Sequence, residues 1–122
     1  MFFGKKTTRW FMVFSSVDKA KELIAINKTA RIEVDGKLLC LARTETKFFA
    51  LDEKCPHQNL PITHGGICEN GTVVCPFHRY AWDLKTGREV ERRSGNINLY
   101  PVEERETGLF VGIEKKTGGI FG

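Results

Sequence analysis

Cys55-Pro56-His57-Gln58-Asn59-Leu60-Pro61-Ile62-Thr63 and Cys75-Pro76-Phe77-His78, with seventeen residues between His57 and Cys75, are the stretches that decide how this chain is read. Each is a short claw in which a Cys is followed two or three positions later by a His. Together they offer two thiolates and two imidazoles in matched halves. Pro56 and Pro76 stiffen the claws by fixing a backbone torsion, and neither supplies an amide proton. Amide donors toward sulfur must therefore come from other residues, and the candidates are His57, Asn59, Leu60, His78 and Tyr80.

Outward from the claws the chain reads as short strands separated by turns. Phe48 to Leu51 leads toward the first claw. Thr72-Val73-Val74 leads into Cys75, and Tyr80 to Leu84 leads out to a turn at Lys85-Thr86-Gly87. Gly65-Gly66 and Glu69-Asn70-Gly71 punctuate the stretch between the claws. Upstream, Trp10 to Phe14 is a strand rich in aromatic and β-branched residues, and Ser16 to Leu23 supports one or two helical turns capped by Ser16. Arg31 to Val34 and Lys37 to Ala42 flank Asp35-Gly36, a strong hairpin signal. Downstream, strands are expected at Ile97 to Val102 and Leu109 to Ile113, joined by a turn at Glu106-Thr107-Gly108. Many short strands with Gly turns, and no long helical stripe, predict an all-β sandwich or barrel. There is no repeat, low-complexity segment or linker.

At 122 residues and 41% hydrophobic composition, the chain suffices for one domain over 1–122 with a real core. The apolar run Trp10 to Phe14 is far shorter than the roughly 20 residues that span a bilayer. It is also shorter than a signal-peptide core of about 7 to 15 residues, so although Lys5, Lys6 and Arg9 resemble a basic leader, a cytoplasmic protein without membrane contact is expected. The net charge of +4 comes from dispersed basic residues. With no aromatic stacking array or reading module beside it, that excess predicts a solvated surface with a use in steering an acidic partner, not nucleic-acid binding. Of the four cysteines, Cys40 lies in the apolar run Leu38-Leu39-Cys40-Leu41-Ala42 and reads as a small buried thiol. The role of Cys68 stays open, and His64, beside Gly65-Gly66, reads as an exposed loop histidine.

The claws carry the chemistry. A cluster of two irons and two sulfides held by two Cys on one iron and two His on the other needs this donor set. Cys55, His57, Cys75 and His78 are the candidate ligands. Two ferric ions, two sulfides and two thiolates sum to zero when the histidines are neutral, whereas four thiolates leave the oxidised cluster doubly negative. An electron enters the neutral cluster more easily, which moves the potential to about −150 to +300 mV from about −400 mV. The outer ring nitrogens of His57 and His78 are candidates for coupling electron uptake to proton uptake. Zinc is the alternative for two Cys and two His, but zinc fingers usually pair Cys with Cys and His with His, and this chain mixes them within each half.

At these residues the chain resembles the Rieske-type [2Fe-2S] ferredoxins. The likeness extends through Phe48-Phe49-Ala50-Leu51, Asp83-Leu84, Thr86-Gly87 and Tyr100-Pro101-Val102, covering about residues 10 to 115. It implies the Rieske (ISP-like) fold, an antiparallel β-sandwich base with a small cluster-binding subdomain at about 54–84, and one [2Fe-2S] cluster per chain. Leu60 and Phe77 occupy the places of the extra disulfide cysteines of respiratory Rieske proteins, which points to the ferredoxin and oxygenase branch. Tyr80 and Trp82 stand where the respiratory branch has a Ser and a Tyr, so fewer hydrogen bonds to the cluster and a potential low in the family range are expected. Asn59 stands where Gly is common, and Asn best tolerates left-handed backbone after Gly.

The implied role is one-electron transfer between a reductase and a terminal oxygenase or similar enzyme, with no catalytic residues in this chain. Once the cluster ligands are assigned only His64 remains, too few for a mononuclear iron site of two His and a carboxylate. A free shuttle of this kind is expected to be monomeric. The alternatives are a small Rieske-like subunit beside the large subunit of a nitrite reductase-type complex, and a zinc-stabilised interaction domain.

Overall fold

The computed structural model describes residues 5–56, 58–77 and 79–117. In chain order the elements are β1 (Lys5–Phe14), α1 (Val17–Leu23), β2 (Thr29–Val34), β3 (Lys37–Arg43), β4 (Phe48–Asp52), β5 (Ile67–Glu69), β6 (Thr72–Val74), β7 (Ala81–Asp83), β8 (Leu99–Tyr100), β9 (Val102–Arg105) and β10 (Gly108–Thr117). The strands form three antiparallel sheets, ordered β1-β10-β9, β2-β3-β4-β8 and β5-β6-β7.

Strand β3 shows how the layers stack. Its side chains alternate across the sheet. Leu39 and Leu41 join Val34, Phe48, Ala50, Leu109, Val111 and Ile113 in one core, and Cys40 and Ala42 join Leu51, Cys55, Ile62, Val73, Cys75 and Trp82 in another. The β2-β3-β4-β8 sheet is thus the middle layer, with β1-β10-β9 on one face and β5-β6-β7 with the cysteine loops on the other. A strand buried on both faces reads as a continuous apolar run, which accounts for residues 39–42, whereas Leu38 before them is exposed. Each fully buried Leu contributes roughly 1.5 to 3 kcal/mol, and Leu39 and Leu41 are both buried.

Local signals account for most element boundaries. The Ser16 side chain accepts from the Lys19 amide at 3.0 Å and starts α1. The far end of α1 is tied by the Arg43 guanidinium, which donates to the carbonyls of Ile24 at 2.8 Å and Lys21 at 3.1 Å. Asp35 and Gly36 both take positive φ, 53° and 78°, and close the β2-β3 hairpin, as the two central residues of a type I′ turn require.

Three boundaries differ from expectation. The single strand expected over Ile97 to Val102 is two, β8 and β9, because Pro101 has no amide to continue a ladder; its carbonyl instead accepts from Gly112 at 2.9 Å. The Glu69-Asn70-Gly71 stretch is not punctuation alone: Glu69 ends β5, and Asn70-Gly71, with φ of 51° and 75°, turns it into β6. In the β9-β10 connection, Gly108 pairs with Arg105 and belongs to the strand. It lies so close to β1 that an added Cβ would sit 2.4 Å from the Phe14 carbonyl oxygen. Among the described residues no helix is long and apolar enough to cross a membrane.

Candidate metal centre

The two cysteine loops are built on one backbone plan. In the first, Lys54 bridges Pro61, the Cys55 amide donates to the Leu60 carbonyl at 2.8 Å, and Asn59 is left-handed with φ 58°. In the second, Val74 pairs with Ala81, the Cys75 amide donates to the Tyr80 carbonyl at 2.7 Å, and Arg79 is left-handed with φ 51°. Each loop therefore opens on its Cys, reverses at the fifth position and closes at the sixth. Asn59 adopts the left-handed backbone expected of it. His57 and His78 lie outside the described residues.

This plan brings the thiols together. Cys55 and Cys75 are both fully buried and belong to the same core. Burial pushes the Cys75 thiol up to about 11, the Phe77 amide pulls it back, and Cys55 adds to the rise. The Phe77 amide lies 3.4 Å from Cys75 Sγ. This donor was absent from the sequence-based candidates, although it is the first amide after the proline of its claw, the place His57 holds in the other. Of the candidates, the Asn59 amide is committed elsewhere, donating to the Cys55 carbonyl at 2.6 Å. Two buried thiols at the openings of matched loops, one with an amide aimed at it, fit the sulfur half of a mixed Cys and His cluster, whose thiols must shed their protons when metal binds.

What backs each loop differs. Behind the first, the Thr63 hydroxyl donates to the buried Glu53 carboxylate, and the Ile62 amide donates to the Glu53 carbonyl at 2.8 Å. Behind the second, Phe77 and Tyr80 pack against the core that contains Cys75 and Trp82. The Arg93 guanidinium lies 3.9 Å from the centre of the Tyr80 ring and pairs with the buried Glu89 carboxylate at 3.4 Å. Burial would raise the Glu89 pKa, but the Arg93 and Glu91 amides and the Arg93 guanidinium more than offset it and hold it below its ordinary value. Sequence reasoning missed Glu89 and Arg93; their only signal is opposite charge four residues apart.

The remaining candidates fall into place. Cys40 and Cys68 are free thiols buried in the same core as the loops. Burial, then Glu53 and Cys68, raise the Cys40 thiol, and burial pushes Cys68 to about 11. His64 is exposed, as expected. Pro56 and Pro76 are exposed beside the loops. Arg79 is also exposed but shares its charge with Glu69 at 3.6 Å.

Comparison with known proteins extends this picture. The 3-phenylpropionate/cinnamic acid dioxygenase ferredoxin subunit of Photorhabdus laumondii is 28% identical over 79 residues, 64% of this chain and 75% of that protein. The nitrite reductase (NAD(P)H) of Emericella nidulans is 31% identical over 88 residues, 66% of this chain but 8% of that protein. The ferredoxin of carbazole 1,9a-dioxygenase from Nocardioides aromaticivorans IC177 shares the fold, with a TM-score of 0.71 at 19% identity over 84% of this chain and 95% of that one. The family match to the Rieske [2Fe-2S] domain spans residues 12–101. It runs from within β1 to the proline between β8 and β9 and includes both cysteine loops, so this chain belongs to the Rieske [2Fe-2S] domain family.

Proposed function

We propose that this chain is a Rieske-type ferredoxin that carries one electron at a time from a reductase to a terminal oxygenase. It holds one [2Fe-2S] cluster per chain on Cys55, His57, Cys75 and His78, within one domain over 1–122 whose cluster-binding part is about 54–84. The observation that carries the reading is the matched pair of loops, which bring two buried thiols into one core. When bound, the cluster supplies reversible one-electron chemistry.

The chain's own residues set the conditions for that chemistry. Burial of both sulfurs keeps solvent away, and the Phe77 amide favours negative charge on Cys75. The Trp82 indole donates to the Gly95 carbonyl at 3.1 Å. It is therefore spent on the chain and not on the sulfurs, which supports a potential low in the family range of about −150 to +300 mV. Exposed Pro56 and Pro76, with partly buried Leu60 and Phe77, give a small apolar rim where a partner approaches. The chain relays electrons and transforms no substrate of its own. Its likeness to a dioxygenase ferredoxin subunit supports a ring-hydroxylating oxygenase as the acceptor. Four cysteines without a disulfide support a reducing, cytoplasmic setting.

A second reading, a small subunit of a nitrite reductase-type complex, is favoured by the Emericella likeness. The two separate on assembly. A shuttle elutes as a monomer and relays electrons from an added flavin reductase to an oxygenase with salt-sensitive rates. A subunit co-purifies with a large partner through an extensive interface and relays poorly alone.

A further inference from the structure

Residues 88–97 form a strap across β7 and the second cysteine loop. The Val90 amide donates to the Ala81 carbonyl at 2.8 Å, the Asp83 amide to the Arg88 carbonyl at 2.9 Å, and the Ile97 amide to the Gly87 carbonyl at 2.7 Å. Inside the strap sits a carboxylate with no exposed surface. Glu89 accepts from the amides of Arg93 at 2.5 Å and Glu91 at 3.3 Å, and from the Arg93 guanidinium at 3.4 Å. That guanidinium lies over the Tyr80 ring at 3.9 Å and also faces Glu91 at 3.7 Å. Tyr80 in turn is the residue whose carbonyl closes the loop on the Cys75 amide. A pair of opposite charges thus lies beside Tyr80, the residue that closes the Cys75 loop.

Burying a carboxylate is costly unless it is paired, and charges in a low-dielectric interior act at longer range than charges in water. Reduction adds one negative charge to the cluster. A cation held behind the second loop favours that added charge, and a buried anion opposes it.

We propose that Arg93 and Glu89 set the electron affinity of the cluster as an opposed pair, Arg93 stabilising the reduced form and Glu89 the oxidised form. Neither is a ligand; both act through space behind Tyr80. The inference rests on the ferredoxin reading and adds the charge pair that tunes it. Because Arg93 is 39% exposed and Glu89 fully covered, salt screens Arg93 more, and high ionic strength lowers the potential of the native protein.

The test is a redox titration of the holoprotein, followed by visible absorbance, on the native chain and on Arg93→Gln, Glu89→Gln and Arg93→Lys. At a fixed applied potential, Arg93→Gln lowers the reduced-to-oxidised ratio by up to about tenfold, which is about 59 mV for a one-electron couple. Glu89→Gln raises the ratio. Arg93→Lys, which keeps the charge, stays within about twofold of native. A shift of both Gln variants in one direction, a shift in only one or neither, or cluster loss in either overturns the proposal, because each marks the strap as structural alone. A native chain without any reducible cluster brings down the ferredoxin reading itself, an outcome distinct from the others.

Discussion

The two cysteine loops share a backbone frame but not a support. Both open on Cys-Pro, reverse at a left-handed fifth residue and close from the Cys amide to the sixth carbonyl. Yet the His stands third in the first loop and fourth in the second. The first loop is backed by a single buried carboxylate tied to Thr63, and the second by aromatic packing and a charged strap. The frame therefore brings the sulfurs together, while the support decides how rigid and how polar each half is. Ligand identity at one position is free to differ as long as the frame closes.

If that is right, loss of either thiol should act alike and most severely. Cys55→Ser and Cys75→Ser should each abolish the visible absorbance and iron content of the purified protein; retention of a full cluster by one of them would break the equivalence of the loops. Removing side-chain support should instead separate them. Phe77→Ala, which strips packing from the core beside Cys75, should cost about 1 to 3 kcal/mol, below the range for a fully buried Phe. Leu60→Ala should cost less than about 1 kcal/mol, and urea unfolding of the two variants checks the order.

Smaller effects probe the fifth position. Arg tolerates left-handed backbone less well than Asn, so Arg79→Gly should stabilise by up to about 1 kcal/mol and Asn59→Gly by only a few tenths. The exposed Arg79–Glu69 pair lost in the first variant contributes little, and thermal melts of both would show the difference.

The gentlest test is acidification. The Glu89 pKa is held below its ordinary value of 4.5. Its stabilisation is therefore fully present above about pH 4.5 and lost as pH falls through the lowered value. The melting temperature of the native chain should fall over that window by more than that of Glu89→Gln, which has no proton to take up there.

Much of the frame was legible before any coordinates. Lys37 to Ala42 signalled a strand with a buried thiol at Cys40, Asp35-Gly36 a hairpin, Ser16 a helix cap, and Asn59 a left-handed turn. The ligand quartet was legible only as spacing, and the structure adds the convergence of Cys55 and Cys75. What stayed hidden is tertiary. Glu89 sits among charged residues that read as a solvated stretch, and its burial depends on amides folded around it and on Arg93 lying over Tyr80. The short β5 was masked by its turn residues, and the approach of the Phe77 amide to Cys75 Sγ depends on how the loop backbone folds, which the order of residues does not give. Pro101 broke a strand that composition favoured, because a missing donor outweighs β propensity.

The cluster on Cys55, His57, Cys75 and His78 is tested most directly by a visible absorption and EPR spectrum of the anaerobically purified protein before and after dithionite, with iron, sulfide and zinc assayed on the same sample. Two irons and two sulfides per chain, and a reduced signal with the low average g of mixed Cys and His ligation, are expected. A colourless protein with one zinc, and no reducible cluster after reconstitution, would contradict it.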